Sequence, residues 1–335
     1  MRLSYIDNLR GIAIILVVLG HSVQYLAYPS TFDQNVLFRL IYCFHMPLFI
    51  FISGMTTPFH PIDKNTFILK IWKRVKQLLI PYLLWKFLIW IHFRDSSYFD
   101  IFVKPGSGLW FLWVLFFDYL FFQIVMLMSF YSGIKKEYLI SIAFLITQIA
   151  SLYIGGFGFD LISRYFLYFI VGSLVGMYKE KLPSCQLNKF ILPLSLIGYC
   201  ILSFFWYREI KAVPEGTADW IYFINNFSVY KIATAFSGIA LFLTISLFSN
   251  KPNLGGVFSY IGKKTLGIYA IHQTVCWFIE KTSVNIYYSR EILKFFMSSG
   301  VLVSFIFLTI ISLLLYKILS TNKYTNAYLL GNVIG

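Results

Sequence analysis

Arg10 and His21 are the pair of residues in this sequence that most directly suggests chemistry. Ten mostly apolar residues separate them. On an α-helix, eleven steps turn the chain through about 1100°, which places both side chains within roughly 20° of one face and about 16 Å apart along the axis. A cation and an imidazole are costly to keep in a membrane helix, and such groups are functional candidates. The pair therefore predicts a functional stripe on the first helix.

Composition predicts that the helix lies in a membrane. Of the 335 residues, 59% are hydrophobic, 20% are aromatic and 13% are charged, and the mean hydropathy is +0.73. A soluble domain carries about twice that charged fraction. The net charge of +14 does not predict a nucleic-acid partner, because the basic residues cluster in loops between apolar segments, as membrane topology requires. The four cysteines have no paired spacing, so neither a disulfide nor a metal site is predicted.

Apolar segments long enough to cross a hydrocarbon core of about 30 Å recur along the whole chain. Segments of about ten alternating residues, typical of membrane β-barrels, do not occur, so helices are the expected spanning form. The predicted fold class is all-α, a polytopic membrane protein with one integral-membrane domain over residues 1–335. Ten transmembrane helices are predicted, at 9–28, 36–58, 72–93, 109–131, 137–155, 160–178, 189–207, 226–249, 262–280 and 294–318.

The basic residues also predict the orientation of these ten segments. If the N-terminus is cytoplasmic, sixteen lysines and arginines lie in the inner loops or at the inner ends of the predicted helices, and seven lie in the outer loops or at the outer ends. Cytoplasmic loops carry the excess of positive charge in membrane proteins. Both termini are therefore expected in the cytoplasm, with the chain in the cell membrane, inner or plasma, as a multi-pass protein.

Two further histidines are expected at nearly the same depth as His21. His45 lies on the second predicted helix and His272 on the ninth. Three histidines at one level predict a buried polar centre, although any one of them could be a hydrogen-bonded core residue. A three-histidine metal site is possible by ligand type, but the long spacings carry no metal-specific pattern. Neither a metal nor a prosthetic group is predicted.

A basic cluster opens the third predicted helix, with Lys73, Arg74 and Lys76 followed by Pro81. Guanidinium and ammonium groups bind phosphates. The cluster, together with Arg10, is therefore a candidate phosphate-binding site. The alternative interpretation is a simple positive-inside anchor.

Three polar or aromatic residues within the third and fourth predicted helices leave more than one interpretation open. Asp118 and Lys86 could pair with each other or with polar neighbours, or one of them could orient a catalytic histidine. Trp110, near the outer interface, could belong to an aromatic belt. It could also form a wall on which the apolar face of a sugar stacks.

Five sequence fragments follow one another along the chain: Tyr5–Gly11 with His21, Phe44–Phe49 with Ser53–Gly54, Arg74 with Pro81–Tyr82, Leu109–Leu112, and Ile261–Tyr269 with His272. In order and spacing, these fragments resemble the integral-membrane acyltransferase-3 family over residues 5 to 272. Each fragment alone is weak, but the ordered set is specific. The first two are most similar to the branch related to fucose O-acetylases.

The resemblance implies acetyl transfer from cytoplasmic acetyl-CoA to a hydroxyl of a cell-surface or lipid-linked glycan. It implies that Arg10 and His21 form the catalytic signature, with His21 as the base toward the sugar hydroxyl. An acetyl-histidine relay is the alternative mechanism. Acetyl-CoA is the expected acyl donor, with its phosphates on Arg10, Lys73, Arg74 and Lys76. The second arginine of the family's usual basic pair is replaced in this sequence.

The remaining candidate residues are expected to orient the catalytic residues or to contact the acceptor. Asp7 is expected to cap the first helix and orient Arg10, and Asp118 is a second candidate orienting residue. Acceptor or oxyanion contacts are expected from His45, Trp110, Tyr269 and His272. A transporter or flippase of a glycan or lipid intermediate is the alternative function, and a non-catalytic scaffold a third. The expected partners are acetyl-CoA, the glycan acceptor and membrane lipids, and the sequence does not indicate an oligomeric state.

Overall fold

A computed structural model describes residues 3–93, 102, 105, 108–186, 188–248, 252–285 and 287–332. Within these ranges the regular secondary structure is helical, and they contain no strand. The all-α prediction is therefore confirmed for the described part of the chain.

Two of the helical segments contain a π-helical turn. The N-terminal half contains α1 (Ser4–His21), π1 (Ser22–Ala27), α2 (Val36–Tyr42), α3 (His45–Met55), α4 (Lys64–Arg74), π2 (Val75–Leu79), α5 (Ile80–Phe93), α6 (Trp110–Ser132), α7 (Lys136–Ser151) and α8 (Phe159–Gly176). The C-terminal half contains α9 (Asn188–Phe204), α10 (Asp219–Asn226), α11 (Ser228–Phe248), α12 (Pro252–Gly262), α13 (Thr265–Asn285), α14 (Tyr287–Thr321) and α15 (Lys323–Tyr328).

Among the described residues, six helical segments are long and apolar enough to cross a membrane, which supports a helical membrane protein. All ten predicted segments overlap helices, but not all of these helices reach the required length and apolar character. For example, α9 is apolar but has only 17 residues. The count of ten spans and the orientation of the termini stay predictions. The six segments are Ser4–Ala27, Val36–Met55, Trp110–Ser132, Phe159–Gly176, Ser228–Phe248 and Glu291–Thr321.

The helices pack into two compact units, each assembled from stretches that are distant in sequence. The first unit comprises Met1–Phe49, Glu180–Thr265 and Val275–Ser312. The second unit comprises Ile50–Lys179, Leu266–Thr274 and Leu313–Gly335.

In the first unit, α1 lies in backbone contact with α12. A Cβ atom built on Gly11 would lie 2.0 Å from the carbonyl oxygen of Phe258, and one built on Gly262 would lie 1.9 Å from that of Asp7. Small residues at helix interfaces let membrane helices approach this closely, and the resulting packing drives their association. The helix that carries Arg10 is therefore held by its glycine contacts.

We expect Gly11→Ala to lower the thermal unfolding temperature of the detergent-solubilised protein. The added methyl group would overlap the Phe258 carbonyl, and overpacking of this kind costs about 1–3 kcal/mol. Gly256→Ala is the matched control, because Gly256 lies on α12 with no atom within 4 Å of its added Cβ. Equal unfolding temperatures for the two variants would contradict this packing.

In the second unit, α3 and α8 pack together in the same way. The Cβ position of Gly54 lies 2.1 Å from the carbonyl oxygen of Phe169, and that of Gly172 lies 2.1 Å from the carbonyl oxygen of Phe51. Phe169 also contacts Phe122 of α6, with ring centroids 5.3 Å apart. These contacts fix α6, the helix that begins at Trp110 and carries Asp118.

Candidate functional site

Arg10 and His21 lie on one uninterrupted helix, α1, as the sequence predicts. The Arg10 guanidinium approaches the Asp7 carboxylate, with Nη1 3.5 Å from Oδ1. Asp7 is 2% exposed and lies in the first turn of α1, whose N-cap is Leu3. The prediction that Asp7 caps the helix is therefore wrong, because the helix begins three residues earlier. Its contact with Arg10 is present.

His21 lies in a cluster of aromatic rings in the first unit. Its ring centroid is 5.5 Å from that of Tyr25 and 6.2 Å from that of Tyr42. Tyr42 in turn lies 4.5 Å from the ring of His45. His21 is 8% exposed and His45 is 1% exposed. Two of the three predicted histidines are thus gathered around one tyrosine, and we call His21, Tyr42 and His45 the histidine cluster.

The hydrogen bonding of His45 defines its tautomer. Its Nδ1 lies 2.9 Å from the carbonyl oxygen of Ile41. Because a carbonyl oxygen can only accept a hydrogen bond, Nδ1 carries a proton, and in the neutral imidazole Nε2 then keeps its lone pair. His45 can therefore accept a proton or a hydrogen bond at Nε2.

The π-helical turn π1 begins directly after His21. Such turns are rare and occur frequently at functional sites. Gln24, within π1, accepts a hydrogen bond from the Tyr42 hydroxyl through Oε1. Sequence reasoning missed both Gln24 and Tyr42. Their only signal is proximity, since each lies three residues from a candidate histidine, Gln24 after His21 and Tyr42 before His45.

Tyr269 and His272 lie together in the second unit, on α13. Their ring centroids are 5.7 Å apart, and the Tyr269 ring lies 5.2 Å from that of Phe111. The Tyr269 hydroxyl donates to the carbonyl oxygen of Gly108 at 3.4 Å. His272 is fully buried, and its Nδ1 lies 2.7 Å from the carbonyl oxygen of Ile268. It therefore has the same tautomer as His45.

Trp110, the first residue of α6, is half-buried against Tyr165 of α8. The two ring centroids are 5.2 Å apart, and the ring planes are inclined by 32°. The indole thus belongs to an aromatic pair, an arrangement that suits both an aromatic belt and a sugar-stacking wall.

Asp118 is fully buried on α6, and neither carboxylate oxygen has a hydrogen-bond partner in the described part of the chain. The pairing with Lys86 that the sequence left open is not formed. Lys86 is 4% exposed and lies 5.9 Å from the ring centroid of Tyr82. Asp118 therefore forms no hydrogen bond to a described histidine, and its orienting role stays a prediction.

The basic cluster spans the junction of α4 and π2 in the second unit. Arg74 Nη1 donates to Oε1 of Gln77 at 3.0 Å, and its guanidinium carbon lies 4.8 Å from the ring centroid of Tyr119. Lys76 Nζ lies 5.6 Å from the ring centroid of Trp72. Lys73 is exposed. Arg74 is therefore held in place by its neighbours, whereas the Lys73 ammonium is accessible.

A metal centre has no donor set in the residues that the structure describes. No group of three or more histidine, cysteine, aspartate or glutamate side chains lies close enough there to hold an ion.

Comparison with known proteins identifies a family. Residues 3–317 match the model of the acyltransferase domain called acyltransferase-3. Nodulation protein NolL of Mesorhizobium japonicum is 35% identical over 130 residues, which are 36% of this chain and 35% of that protein. Nodulation protein NolL of Sinorhizobium fredii is 38% identical over 120 residues, which are 32% of each chain. The chain thus matches about a third of the length of these curated relatives. No solved structure matches it.

Proposed function

The chain belongs to the acyltransferase-3 family, and from this premise we propose that it moves an acetyl group from acetyl-CoA to a hydroxyl of a cell-surface or lipid-linked glycan. As a member of that family it is an acyltransferase. The single observation that carries the finer proposal is the buried histidine cluster at the end of the helix that also holds Arg10.

Acetyl transfer to an alcohol requires a base, an electrophilic thioester and a group that stabilises an oxyanion. A neutral imidazole suits the role of base near pH 7. In the proposed step His21 accepts the proton of the sugar hydroxyl while the sugar oxygen bonds to the thioester carbonyl carbon. When the resulting oxyanion collapses, the carbon–sulfur bond breaks and His21 returns the proton to the CoA thiolate. The products are the acetyl ester and free CoA.

Donor binding is proposed for the basic cluster at α4 and π2. Arg74 is the best placed member, because Gln77 and Tyr119 orient its guanidinium before any ligand arrives. A side chain that is already held in place loses little conformational entropy when it binds a ligand. Lys73 and Lys76 would add further phosphate contacts. Arg10, held by Asp7, is a further candidate for a phosphate contact.

Acceptor contacts are proposed for Trp110, Tyr269, His272 and His45. An aromatic face suits the apolar face of a sugar ring, and Trp110 is half-buried beside Tyr165. The narrower resemblance to fucose O-acetylases rests on the first two sequence fragments. It makes a fucosyl hydroxyl the first acceptor to try.

We also propose ten spans with both termini in the cytoplasm, in the cell membrane. The supporting observations are the distribution of basic residues between loops and the overlap of each predicted segment with a helix.

Single cysteines at Lys135 and Lys211 test this orientation, in a chain whose four native cysteines are replaced by alanine. Both lysines are exposed, and the ten-span topology places Lys135 inside and Lys211 outside. We expect an impermeant maleimide added to intact cells to label Lys211→Cys and not Lys135→Cys. The reverse pattern would refute the orientation.

Mass spectrometry of surface glycans from cells with and without the chain tests the proposed function. We expect the mass of one acetyl group per modified site to disappear with the chain and to return with the wild-type gene, but not with His21→Gln. Loss of the whole glycan from the surface, with no acetyl difference, would instead indicate a transporter or flippase.

A further inference from the structure

The π-helical turn π2 has a local cause in Pro81. Proline has no backbone N–H, and its ring clashes with the carbonyl oxygen four residues earlier in a helix. For Pro81 that oxygen belongs to Gln77. The wider π turn at Val75–Leu79 accommodates the clash. Pro81 therefore cannot donate to the Gln77 carbonyl, and that side of the turn can receive another part of the chain.

The C-terminal segment Lys323–Asn332 occupies this side of π2, within the second unit. Gly331 lies against the Gln77 peptide group, since a Cβ atom built on it would be 2.5 Å from the Gln77 carbonyl oxygen. Its φ of +70° is also one that residues other than glycine rarely adopt. Leu330, the preceding residue, is 2% exposed. The contact therefore admits only glycine without rearrangement.

Specific hydrogen bonds hold the segment in this position. The indole Nε1 of Trp85 donates to the carbonyl oxygen of Leu329 at 2.9 Å. Asn332 Nδ2 donates to the Tyr316 hydroxyl at 3.2 Å and to Asn326 Oδ1 at 2.7 Å. Hydrogen bonds thus connect Leu329 to α5, and Asn332 to α14 and to α15.

Gln77 connects this segment to the basic cluster. Its backbone contacts Gly331, and its side-chain oxygen accepts the hydrogen bond from Arg74. We propose that the C-terminal segment positions Arg74 for the donor phosphates by fixing Gln77, and that Gly331 is a positioning residue for acetyl-CoA binding. This inference rests on the proposed function, because only that proposal places Arg74 at the donor.

Gly331→Ala tests the inference, with Gly133→Ala as the matched control. Both glycines have a positive φ, +70° and +68°, but the Cβ of Gly133 would have no atom within 4 Å. We expect Gly331→Ala to raise the dissociation constant for acetyl-CoA roughly three- to tenfold. This is less than the roughly ten- to hundredfold cost of losing a hydrogen bond to a charged group, because Gly331 acts on Arg74 only through Gln77. The KM for the acceptor should not change. Gly133→Ala should leave both constants unchanged.

A double variant with Arg74→Ala separates the possible outcomes, because coupled residues give non-additive effects. In the Arg74→Ala background we expect Gly331→Ala to weaken acetyl-CoA binding no further. Full additivity would overturn the inference, as would an unchanged dissociation constant in Gly331→Ala alone. If Arg74→Ala itself left the dissociation constant unchanged, the donor role of Arg74 in the proposed function would fail as well.

Trp85→Phe gives the same test if Gly331→Ala does not fold. It keeps a ring but removes the donor to Leu329. Trp113→Phe is its control, because Trp113 Nε1 donates to the Phe157 carbonyl oxygen at 2.8 Å and not to the C-terminal segment. We expect weaker acetyl-CoA binding in Trp85→Phe only. Equal dissociation constants in the two variants would overturn the inference.

Discussion

His21→Asn and His21→Gln are expected to lower turnover by about 10²–10⁴-fold, the usual contribution of general acid–base catalysis. An amide side chain can keep a hydrogen bond, but it cannot accept a proton near neutral pH. Both variants should insert in the membrane, fold and still bind acetyl-CoA. The measurement is acetyl transfer by purified protein, together with acetyl-CoA affinity for each variant.

The other histidines provide the comparison for this result. His45→Asn and His272→Asn are expected to cost less activity. Near-normal transfer in folded His21→Asn would exclude this residue as the base. An equal or larger loss in His45→Asn would move the base role to His45, whose Nε2 has its lone pair available because Nδ1 donates to Ile41.

Arg74→Ala and Arg10→Ala are expected to weaken acetyl-CoA binding while leaving the acceptor KM unchanged. Loss of one charge-assisted contact to a phosphate costs about 1.5–3 kcal/mol, which is roughly ten- to a hundredfold in affinity. The structure predicts the clearer effect for Arg74, because two neighbours fix its guanidinium. Titration of each purified variant with acetyl-CoA measures its dissociation constant.

Lys135→Ala is the control for these variants, since it removes an exposed positive charge outside the basic cluster. It should leave the dissociation constant unchanged. If Arg10→Ala and Arg74→Ala also left it unchanged, the assignment of the donor phosphates to these arginines would be wrong.

The helical framework could be predicted from the sequence, because each helix in a membrane is a local apolar segment of characteristic length. The one-face relation of Arg10 and His21 follows from helix geometry, and the structure confirms that α1 is uninterrupted between them. Pro81 signals a break in the third segment, since its consequence reaches only four residues back along the chain.

Contacts between distant parts of the chain could not be predicted in this way. Tyr42 and Gln24 meet because π1 and α2 pack together, and no periodicity encodes that pairing. Gly331 meets Gln77 across more than 250 residues of sequence. Asp118 is a further example: the sequence left several partners open, Lys86 among them, and neither carboxylate oxygen has a hydrogen-bond partner among the described residues.

The most direct test of the account is incubation of purified, reconstituted protein with acetyl-CoA labelled in the acetyl group and a glycan lipid acceptor. We expect label to appear in the glycan as an ester, in proportion to the free CoA released, with wild-type protein and not with His21→Gln. Glycan that crosses the vesicle membrane without acquiring label, with acetyl-CoA left intact, would contradict acyl transfer as the function of this protein.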